Sequence, residues 1–215
     1  MTPGTAAKFR GRPALAFFRR VARQGWDKKH FTFTCRYPAL RKWLALQLTQ
    51  PKTLAAVGCG TGELERALEK LRHRVVSLDL SLPMLRAAAR RYGLKSLVQA
   101  DAHRLPFAAA SLDIVLLPES LGYLEAEVAF REAARVLKKR GRVMMTTYPP
   151  HVHAHSVYKK RSLREITELL HQAGLIVDRY RFLMIKRTAI GEALSEEECD
   201  LLYVVAKKRV APTAR

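Results

Sequence analysis

Residues 53–62 read TLAAVGCGTG, a short apolar run that leads directly into three alternating glycines. The apolar run predicts a buried strand, and the residues after Gly62 follow a helical pattern. In this strand–turn–helix context, Gly58, Gly60 and Gly62 permit positive φ angles and let a ligand approach the backbone closely. The N–H groups that open the helix attract an anionic group. The stretch therefore predicts a nucleotide-type ligand at the end of a strand.

The residue after the third glycine disfavours a dinucleotide such as NAD. A dinucleotide fingerprint needs its last glycine where this chain has Glu63, and a carboxylate at that position would oppose a pyrophosphate. S-adenosylmethionine (SAM) has no phosphate. It carries a carboxylate, an amine and a sulfonium cation, so acids beside the loop are compatible with it.

From residue 52 onward, short apolar runs alternate with amphipathic helical segments, which is typical of βαβ units. Strands are expected at 53–57, 74–78, 96–99, 112–117, 142–147, 177–184 and 201–206. Helices are expected at 63–71, 82–91, 125–137 and 162–173. The pattern predicts an α/β fold with a doubly wound, mostly parallel seven-stranded sheet. We divide the chain into a basic helical N-terminal extension (1–50), the sheet domain (51–210) and a tail (211–215).

Two acids follow the second and third expected strands. Asp79 lies 21 residues beyond Gly58, where a carboxylate accepts hydrogen bonds from both ribose hydroxyls of a nucleoside. The alternative role for Asp79 is to cap the next helix, a task that Ser81 suits better. Asp101 is placed to accept a hydrogen bond from an adenine amine.

Taken in order, these motifs resemble the class I SAM-dependent methyltransferases, and especially the group of ubiquinone and menaquinone methyltransferases. The resemblance covers residues 50–206 and rests on VGCGTG, SLDLS, ADAHRLPF followed by SLDIVLL, FREAARVLKKRGRVMM and SLREITELLHQAG. It implies SAM as cofactor, with the glycines at its methionine moiety, Asp79 at the ribose and Asp101 with Ala102 at the adenine. The full set of implied cofactor-binding residues is Gly58, Cys59, Gly60, Gly62, Asp79, Leu80, Asp101 and Ala102.

The chain departs from the family pattern in three places. The family usually has an acid two residues before the first glycine, where this chain has Ala56, which puts recognition of the SAM amine in question. Before the fifth strand the family often has two glycines, and here Lys139 and Arg140 precede Gly141 in the expected turn. The fourth strand ends in LLPESLGY, unlike the Asn-Pro-Pro-Tyr motif of enzymes that methylate base or amide nitrogens.

Candidate catalytic groups follow the fourth and fifth strands, where α/β sheets bind ligands. Methyl transfer is an in-line displacement that depends chiefly on positioning, so a general base is optional. The candidates for a base are Glu119 and His151, the latter with His153 and His155 in HVHAH. A metal site at these histidines is disfavoured, because no carboxylate or cysteine is near them in sequence.

Aromatic residues before the sheet domain are candidates for a lid over the methyl acceptor. The substrate or lid residues are Trp26, Phe31, Tyr37 and, after the fourth strand, Tyr123, with His30 and Phe33 nearby. The N-terminal residues fit equally well an N-terminal helix that packs on the core.

The formal net charge of +20 sits at the two ends of the chain. Residues 1–50 carry +10, residues 51–137 carry +2 and residues 138–215 carry +8. The basic flanks would suit RNA, an anionic membrane surface or an acidic small molecule, or they form an ordinary solvated surface. Because an RNA-binding module is not recognisable, we rank a small-molecule or lipid-like acceptor first and structured RNA second. A third hypothesis is a SAM-binding or partner-binding protein without catalysis, motivated by Ala56.

Compartment and assembly are only weakly indicated. The apolar runs are too short to cross a bilayer, and three cysteines without CxxC spacing favour a reducing, cytoplasmic location over a disulfide framework. Membrane association through the basic N-terminal helix stays open, as does mitochondrial targeting by the Arg-rich N-terminus. The sequence does not indicate an oligomeric state.

Overall fold

A computed structural model of the chain describes residues 16, 18, 39, 40, 43, 44, 46–153, 157–185 and 189–209. The strands are β1 Thr53–Val57, β2 Arg74–Asp79, β3 Leu97–Gln99, β4 Leu112–Pro118, β5 Leu137–Thr147, β6 Leu175–Ile185, β7 Ile190–Glu192 and β8 Leu201–Lys208. The helices are α1 Glu63–Lys70, α2 Leu82–Tyr92, α3 Ala126–Val136 and α4 Leu163–Gln172, with a 3-10 turn at Leu121–Tyr123. Helical residues also precede the sheet, between 39 and 46.

The strands form one sheet in the order β3-β2-β1-β4-β5-β8-β6-β7. The first five strands pair in parallel, and β8, β6 and β7 are antiparallel to their neighbours. Strands β1 and β4 are almost continuously buried, as expected for parallel strands that are covered on both faces. The carboxyl ends of the five parallel strands therefore meet along one edge of the sheet.

Helices cover both faces of the sheet, as the doubly wound arrangement requires. On one face, α3 and α4 pack through Phe130 and Ile166 in a cluster with alternate residues of β1, β4 and β5. On the other face, α1 packs through Leu64 and Leu68, beside Leu40 from the helical residues that precede the sheet. The prediction of an α/β doubly wound fold is confirmed.

Local sequence signals explain several helix ends. A capping box opens α4, in which the Ser162 hydroxyl accepts from the backbone of Glu165 and the Glu165 side chain accepts from the backbone of Ser162. Helix α2 ends at Gly93, whose φ of +67° suits glycine. Ser81 occupies the N-cap position of α2 as expected, although its side chain makes no capping hydrogen bond.

Two expectations from the sequence are corrected. The sheet has eight strands instead of seven, because the three-residue strand Ile190–Glu192 pairs with the end of β6 and is too short to show a period. Strand β5 begins at Leu137, five residues earlier than expected, so 139–141 is extended and not a turn. A register shift between Leu112 and Ile114 accommodates this early start.

Most of the N-terminal extension and the tail after Arg209 lie outside the described residues, so the proposed domain division stays a prediction. Within the described part of the chain, no helix is long and apolar enough to span a bilayer.

Candidate cofactor and active site

The residues singled out in the sequence gather at the carboxyl edge of the parallel strands. Gly58 follows β1, Asp79 ends β2, Asp101 comes two residues after β3, and Glu119 follows β4. Tyr148, the first residue after β5, completes the row. The topology thus brings together segments that are up to 90 residues apart in the chain.

The glycine-rich loop turns sharply beneath the end of β4. The backbone N–H groups of Gly58 and Cys59 both donate to the carbonyl of Leu78, at 2.8 and 2.9 Å. Gly58 has a φ of +77°, and a Cβ atom there would lie 2.6 Å from Cβ of Ser120. Glycine is therefore required at this position by backbone conformation and by the close approach of the β4 end.

The other two glycines of the loop serve different purposes. A Cβ atom on Gly62 would lie 2.4 Å from Cδ1 of Leu94 and 2.9 Å from Cβ of Ala88, so this glycine lets α1 pack against the segment around α2. Gly60, with a φ of +56°, has no atom within 4 Å of the corresponding position. The open side of the loop is thus at Gly60, where a ligand can approach the backbone.

Asp79 joins the loop to the second strand through both carboxylate oxygens. Oδ2 accepts from the N–H of Gly60 at 2.9 Å, and Oδ1 accepts from the N–H of Ser81 at 2.8 Å. Burial raises the pKa of Asp79, while these backbone hydrogen bonds oppose that rise. Each carboxylate oxygen offers a second lone pair, so the group can accept two further hydrogen bonds from vicinal hydroxyls.

Asp101 is held by a histidine that the sequence analysis did not use. Its Oδ1 accepts from the backbone N–H of His103 at 2.9 Å and contacts the ring Nδ1 of His103 at 2.6 Å. The other ring nitrogen of His103, Nε2, accepts from the N–H of Glu125 at 3.0 Å, which places the ring proton on Nδ1. The hydrogen bond from His103 lowers the pKa of Asp101, so the carboxylate is ionised and its Oδ2 is oriented by the pair.

Glu119 lies at the end of β4 in a strained and buried position. Its φ of +51° is unusual for a residue with a side chain. Its N–H donates to the carbonyl oxygen of Thr146 on β5 at 2.9 Å, which fixes the backbone. The hydroxyl of Tyr148 donates to Oε2 of Glu119. The carboxyl group that the sequence proposed as a base is thus paired with a phenol from the neighbouring strand end.

Three tyrosines, Tyr123, Tyr148 and Tyr158, form a cluster beside Glu119, which we call the tyrosine cluster. The ring of Tyr158 stands edge-on to Tyr123 at 4.9 Å and to Tyr148 at 5.2 Å, and Phe18 packs edge-on against Tyr123 at 5.0 Å. The hydroxyls of Tyr158 and Thr147 are 2.7 Å apart. Burial raises the pKa of Tyr123 and of Tyr158, so both phenols stay protonated.

Backbone packing holds the cluster in place. A Cβ atom on Gly122 would lie 2.3 Å from the Tyr158 ring, so the tyrosine packs directly on the glycine backbone. Arg161 is buried and donates to the carbonyls of Leu121, Leu124 and Lys159 at 3.2–3.3 Å. The guanidinium thus joins the segment after β5 to the turn after β4.

The remaining candidates are less closely grouped. His151 is exposed, and its Nε2 lies 3.0 Å from the carbonyl oxygen of Cys199. Leu80 is also exposed, and Ala102 is buried. Burial raises the pKa of the Cys59 thiol, so the thiol stays neutral and Cys59 serves in packing. The expectations for Trp26, His30, Phe31, Phe33, Tyr37 and His155 fall outside the described residues.

Sequence reasoning missed several residues of this site. His103 lies in the ADAHRLPF segment without a role assigned to it from the sequence, and Tyr148 and Tyr158 belong to no motif. Their partners in the structure identify all three. Glu65 on α1 has 1% of its surface exposed, and neither carboxyl oxygen has a hydrogen-bond partner among the described residues. Burial is the main cause that raises the pKa of Glu65 to about 8. The signal that the sequence offered is the position of Glu65, three residues before Leu68 and so on the apolar side of an amphipathic helix.

Comparisons with known proteins find similarity to methyltransferases over most of the sheet. Residues 55–145 match the family described as "Methyltransferase domain". The chain is 33% identical over 160 residues to malonyl-[acyl-carrier protein] O-methyltransferase of Methylovorus sp. (strain MP688), covering 67% of this chain and 49% of the relative. It is also 33% identical over 138 residues to the ubiquinone/menaquinone biosynthesis C-methyltransferase UbiE of Syntrophotalea carbinolica, covering 60% and 57%. The chain thus spans about half the length of these curated relatives.

Among solved structures, the fold is similar to that of 1,6-didemethyltoxoflavin-N1-methyltransferase of Burkholderia thailandensis, whose crystal structure has 1,6-didemethyltoxoflavin and S-adenosylhomocysteine bound. The TM-score is 0.67 at 19% identity, and the match covers 97% of this chain and 92% of that one. At this identity the similarity establishes the fold.

Proposed function

We propose that the chain is a SAM-dependent methyltransferase and that it transfers the methyl group of SAM to a small-molecule or lipid-like acceptor. The observation that carries the proposal is the pair of Glu119 and Tyr148, which lies in an aromatic setting beside the glycine-rich loop. The match of residues 55–145 to a methyltransferase domain implies SAM as the methyl donor. The acceptor class and the roles of individual residues are our inference.

The residues at the loop fit SAM. The open side of Gly60 leaves room for the methionine moiety against the backbone, and Asp79 has lone pairs left for the two ribose hydroxyls. Asp101, oriented by His103, is suited to accept from the adenine amine through Oδ2. The Ser120 hydroxyl is buried near Gly58 and has no hydrogen-bond partner in the part of the chain that the structure describes, as expected for a polar group that a ligand satisfies.

The acceptor side is suited to an apolar or aromatic molecule that carries one nucleophilic group. Tyrosine rings offer edges and faces for packing against such a molecule, and the Glu119 carboxyl is the acidic group among them. Both curated relatives described above are named for methylation of small or carrier-bound metabolites. This supports a similar class of acceptor here.

In the reaction, SAM supplies an electrophilic methyl group on a sulfonium. The acceptor's nucleophilic atom forms a bond to that carbon as the carbon–sulfur bond breaks and its electron pair stays on sulfur. Glu119 accepts the acceptor's proton where one must leave, and the Tyr148 hydroxyl orients the carboxylate for this task. The tyrosine cluster excludes water and holds the acceptor in line, which is the larger contribution, worth roughly 7–11 kcal/mol at best.

The basic residues offer less support for RNA as acceptor. Lys138, Lys139 and Arg140 are exposed, but they begin β5 and therefore lie at the edge of the sheet opposite the candidate site. Arg161, the last residue of the basic run 159–161, is buried and donates to backbone carbonyls. A role for the other basic residues in binding RNA or an anionic membrane stays a prediction, as does a cytoplasmic location.

Transfer of labelled methyl groups from SAM tests the proposal. The acceptors are a set of phenols and quinols, a malonyl thioester and total cellular RNA, each assayed with wild type and with Glu119→Gln. We expect label in a small-molecule acceptor and a loss of turnover of roughly 100-fold in the variant. Glu192→Gln, on the far edge strand β7, is the control and should retain activity.

The other outcomes are informative. Label in RNA alone would overturn the acceptor class. SAM binding without transfer to any acceptor would support the hypothesis of a SAM-binding protein without catalysis.

A further inference from the structure

A histidine side chain ties the loop after β3 to the start of α3. We call residues 101–107 the Asp101 loop and residues 121–124 the Tyr123 turn. His103 lies in the loop, 22 residues before Glu125, which is the residue between the turn and α3. The ring of His103 has one hydrogen-bond partner on each side, so a single side chain spans the two segments.

On the loop side, His103 holds one oxygen of Asp101. Its Nδ1 lies 2.6 Å from Oδ1 of Asp101, and its backbone N–H donates to the same oxygen at 2.9 Å. His103 exposes 16% of its side chain and Asp101 exposes 39%, so the ring is mostly covered while the carboxylate still faces solvent. A ligand that donates to Oδ2 therefore meets a carboxylate whose other oxygen is already bound to the histidine.

On the other side, the ring supplies an acceptor that α3 lacks. Nε2 of His103 accepts from the N–H of Glu125 at 3.0 Å. Glu125 is the N-cap residue of α3, and the first N–H groups of a helix have no acceptor within the helix itself. Because the Tyr123 turn ends at the residue before Glu125, this hydrogen bond fixes the end of the turn.

The Tyr123 turn in turn belongs to the acceptor side of the candidate site. The ring of Tyr123 stands edge-on to Tyr158 at 4.9 Å. From the segment after β5, Arg161 donates to the carbonyls of Leu121 and Leu124, both at 3.3 Å. The turn is therefore held from two directions, by the histidine at its end and by this guanidinium.

The second half of the Asp101 loop is attached to α3 without the histidine. Glu132 of α3 accepts from the N–H of Leu105 at 2.8 Å. Arg135 of the same helix donates to the carbonyls of Leu105 and Phe107, both at 2.9 Å. A substitution at His103 should thus release residues 101–104 and leave residues 105–107 in place.

We propose that His103 is a positioning residue that couples the two sides of the site, so that a donor bound at Asp101 also orders the Tyr123 turn. The inference rests on the proposed function, because it takes SAM as the donor, and it does not depend on which acceptor is methylated. The coupling is reciprocal: an acceptor that orders the turn should strengthen donor binding by the same factor.

The experiment is amide hydrogen exchange of the full chain, followed by mass spectrometry, without ligand and with saturating S-adenosylhomocysteine. In wild type we expect the ligand to slow exchange at residues 101–104 and also at residues 121–125. Two variants separate the two hydrogen bonds of the ring. The amide nitrogen of asparagine can replace Nδ1 as a donor, and the longer glutamine can place its amide oxygen where Nε2 accepts.

His103→Asn should bind S-adenosylhomocysteine within about threefold of wild type in calorimetric titration, because the donor to Asp101 is kept. His103→Gln loses that donor, so its affinity should fall by about 10-fold. Each variant keeps only one of the two hydrogen bonds. In both of them, exchange at residues 121–125 should no longer respond to the ligand.

His171→Gln, at an exposed histidine of α4, is the control and should behave as wild type does. The inference is overturned if the ligand leaves residues 121–125 of wild type unchanged. It is also overturned if either His103 variant retains the wild-type response, since the ligand would then act on the turn by another route. Failure of wild type to bind S-adenosylhomocysteine would remove the proposed function as well, whereas binding without a response of the turn removes the coupling alone.

Discussion

The two sides of the candidate site are built in different ways. On the donor side, at the ends of β1, β2 and β3, the contacts are hydrogen bonds between backbone N–H groups and carboxylates, such as those of Asp79. On the acceptor side, at the ends of β4 and β5, the contacts are between side chains from separate segments, such as Tyr123, Tyr148 and Tyr158. The donor side is therefore fixed by backbone geometry, and the acceptor side by packing.

The difference matters for how each side responds to change. A backbone loop with one positive-φ glycine at each turn tolerates few substitutions, because each alters the path of the chain. An aromatic cluster can exchange one ring for another while the surrounding strands stay in place. We expect donor-side substitutions to affect folding and SAM binding, and acceptor-side substitutions to affect turnover.

The largest expected effect concerns Glu65 and the dependence of stability on pH. The pKa of this carboxyl is about 8 in the folded chain and near 4.5 when unfolded, so the folded state holds the extra proton between these values. Its contribution to stability is present below pH 4.5 and is lost as the pH rises through 8. The free energy of unfolding should fall by about 5 kcal/mol over this range, as measured by urea unfolding.

Glu65→Gln should remove most of this decline and be more stable than wild type at pH 9. Burial also raises the pKa of Asp79, which adds a decline of the same sign that the variant retains. Parallel curves for wild type and Glu65→Gln would show that Glu65 is solvated in the folded chain.

The next effect tests Asp79 as the centre of the donor side. An amide has one oxygen, so in Asp79→Asn either the N–H of Gly60 or that of Ser81 faces an NH2 group and loses its acceptor. We expect SAM affinity to fall by about 100-fold in calorimetric titration. Asp113→Asn is the control, since Asp113 binds the N–H of Thr53 at the opposite edge of the sheet, and its affinity for SAM should be unchanged.

The contrast between the two sides also explains what the sequence could predict. The loop glycines, Asp79 and Asp101 were identified from one sequence because each lies at a fixed distance from a strand end. The ends of strands are visible as breaks in apolar runs. The five parallel strands were anticipated for the same reason, although β5 extends further back than its apolar residues indicate.

The acceptor side was predicted less completely. Glu119 and Tyr123 were found because they follow β4, but Tyr148 and Tyr158 reach the same place from the segment after β5. Their meeting depends on the pairing of β4 with β5 and on Gly122, whose missing side chain makes room for the Tyr158 ring. No local pattern encodes such a contact. The unpartnered carboxyl of Glu65 was missed because burial of a charged residue is a property of the packed chain.

A smaller effect separates ligand contact from backbone strain at two glycines. Gly60 and Gly93 both have positive φ, +56° and +67°, and a Cβ atom on either would meet no atom within 4 Å. Changing either to alanine should cost about 1–2 kcal/mol of stability, because an L-residue is disfavoured in this conformation. Only Gly60→Ala should weaken SAM binding, by roughly 10-fold, since its open side faces the ligand. Equal affinities of the two variants for SAM would indicate that SAM does not bind at the open side of the glycine-rich loop.

The smallest expected effect tests the acceptor side at Tyr148. In Tyr148→Phe the ring remains for packing while Glu119 loses the phenol that donates to its Oε2. We expect turnover to fall by about 10-fold and SAM affinity to stay within about twofold, because the hydroxyl acts on the base and not on the donor.

Tyr158→Phe is the matched variant, because it removes a hydroxyl whose hydrogen-bond partner is Thr147, at 2.7 Å. That change should lower stability by about 1 kcal/mol and leave the pH profile of turnover in place, whereas Tyr148→Phe should shift it. If instead both variants reduce turnover equally without a shift, Tyr148 acts through packing alone. Orientation of the Glu119 carboxylate by Tyr148 would then not matter for turnover, and the acceptor side would work by positioning, as an in-line methyl transfer permits.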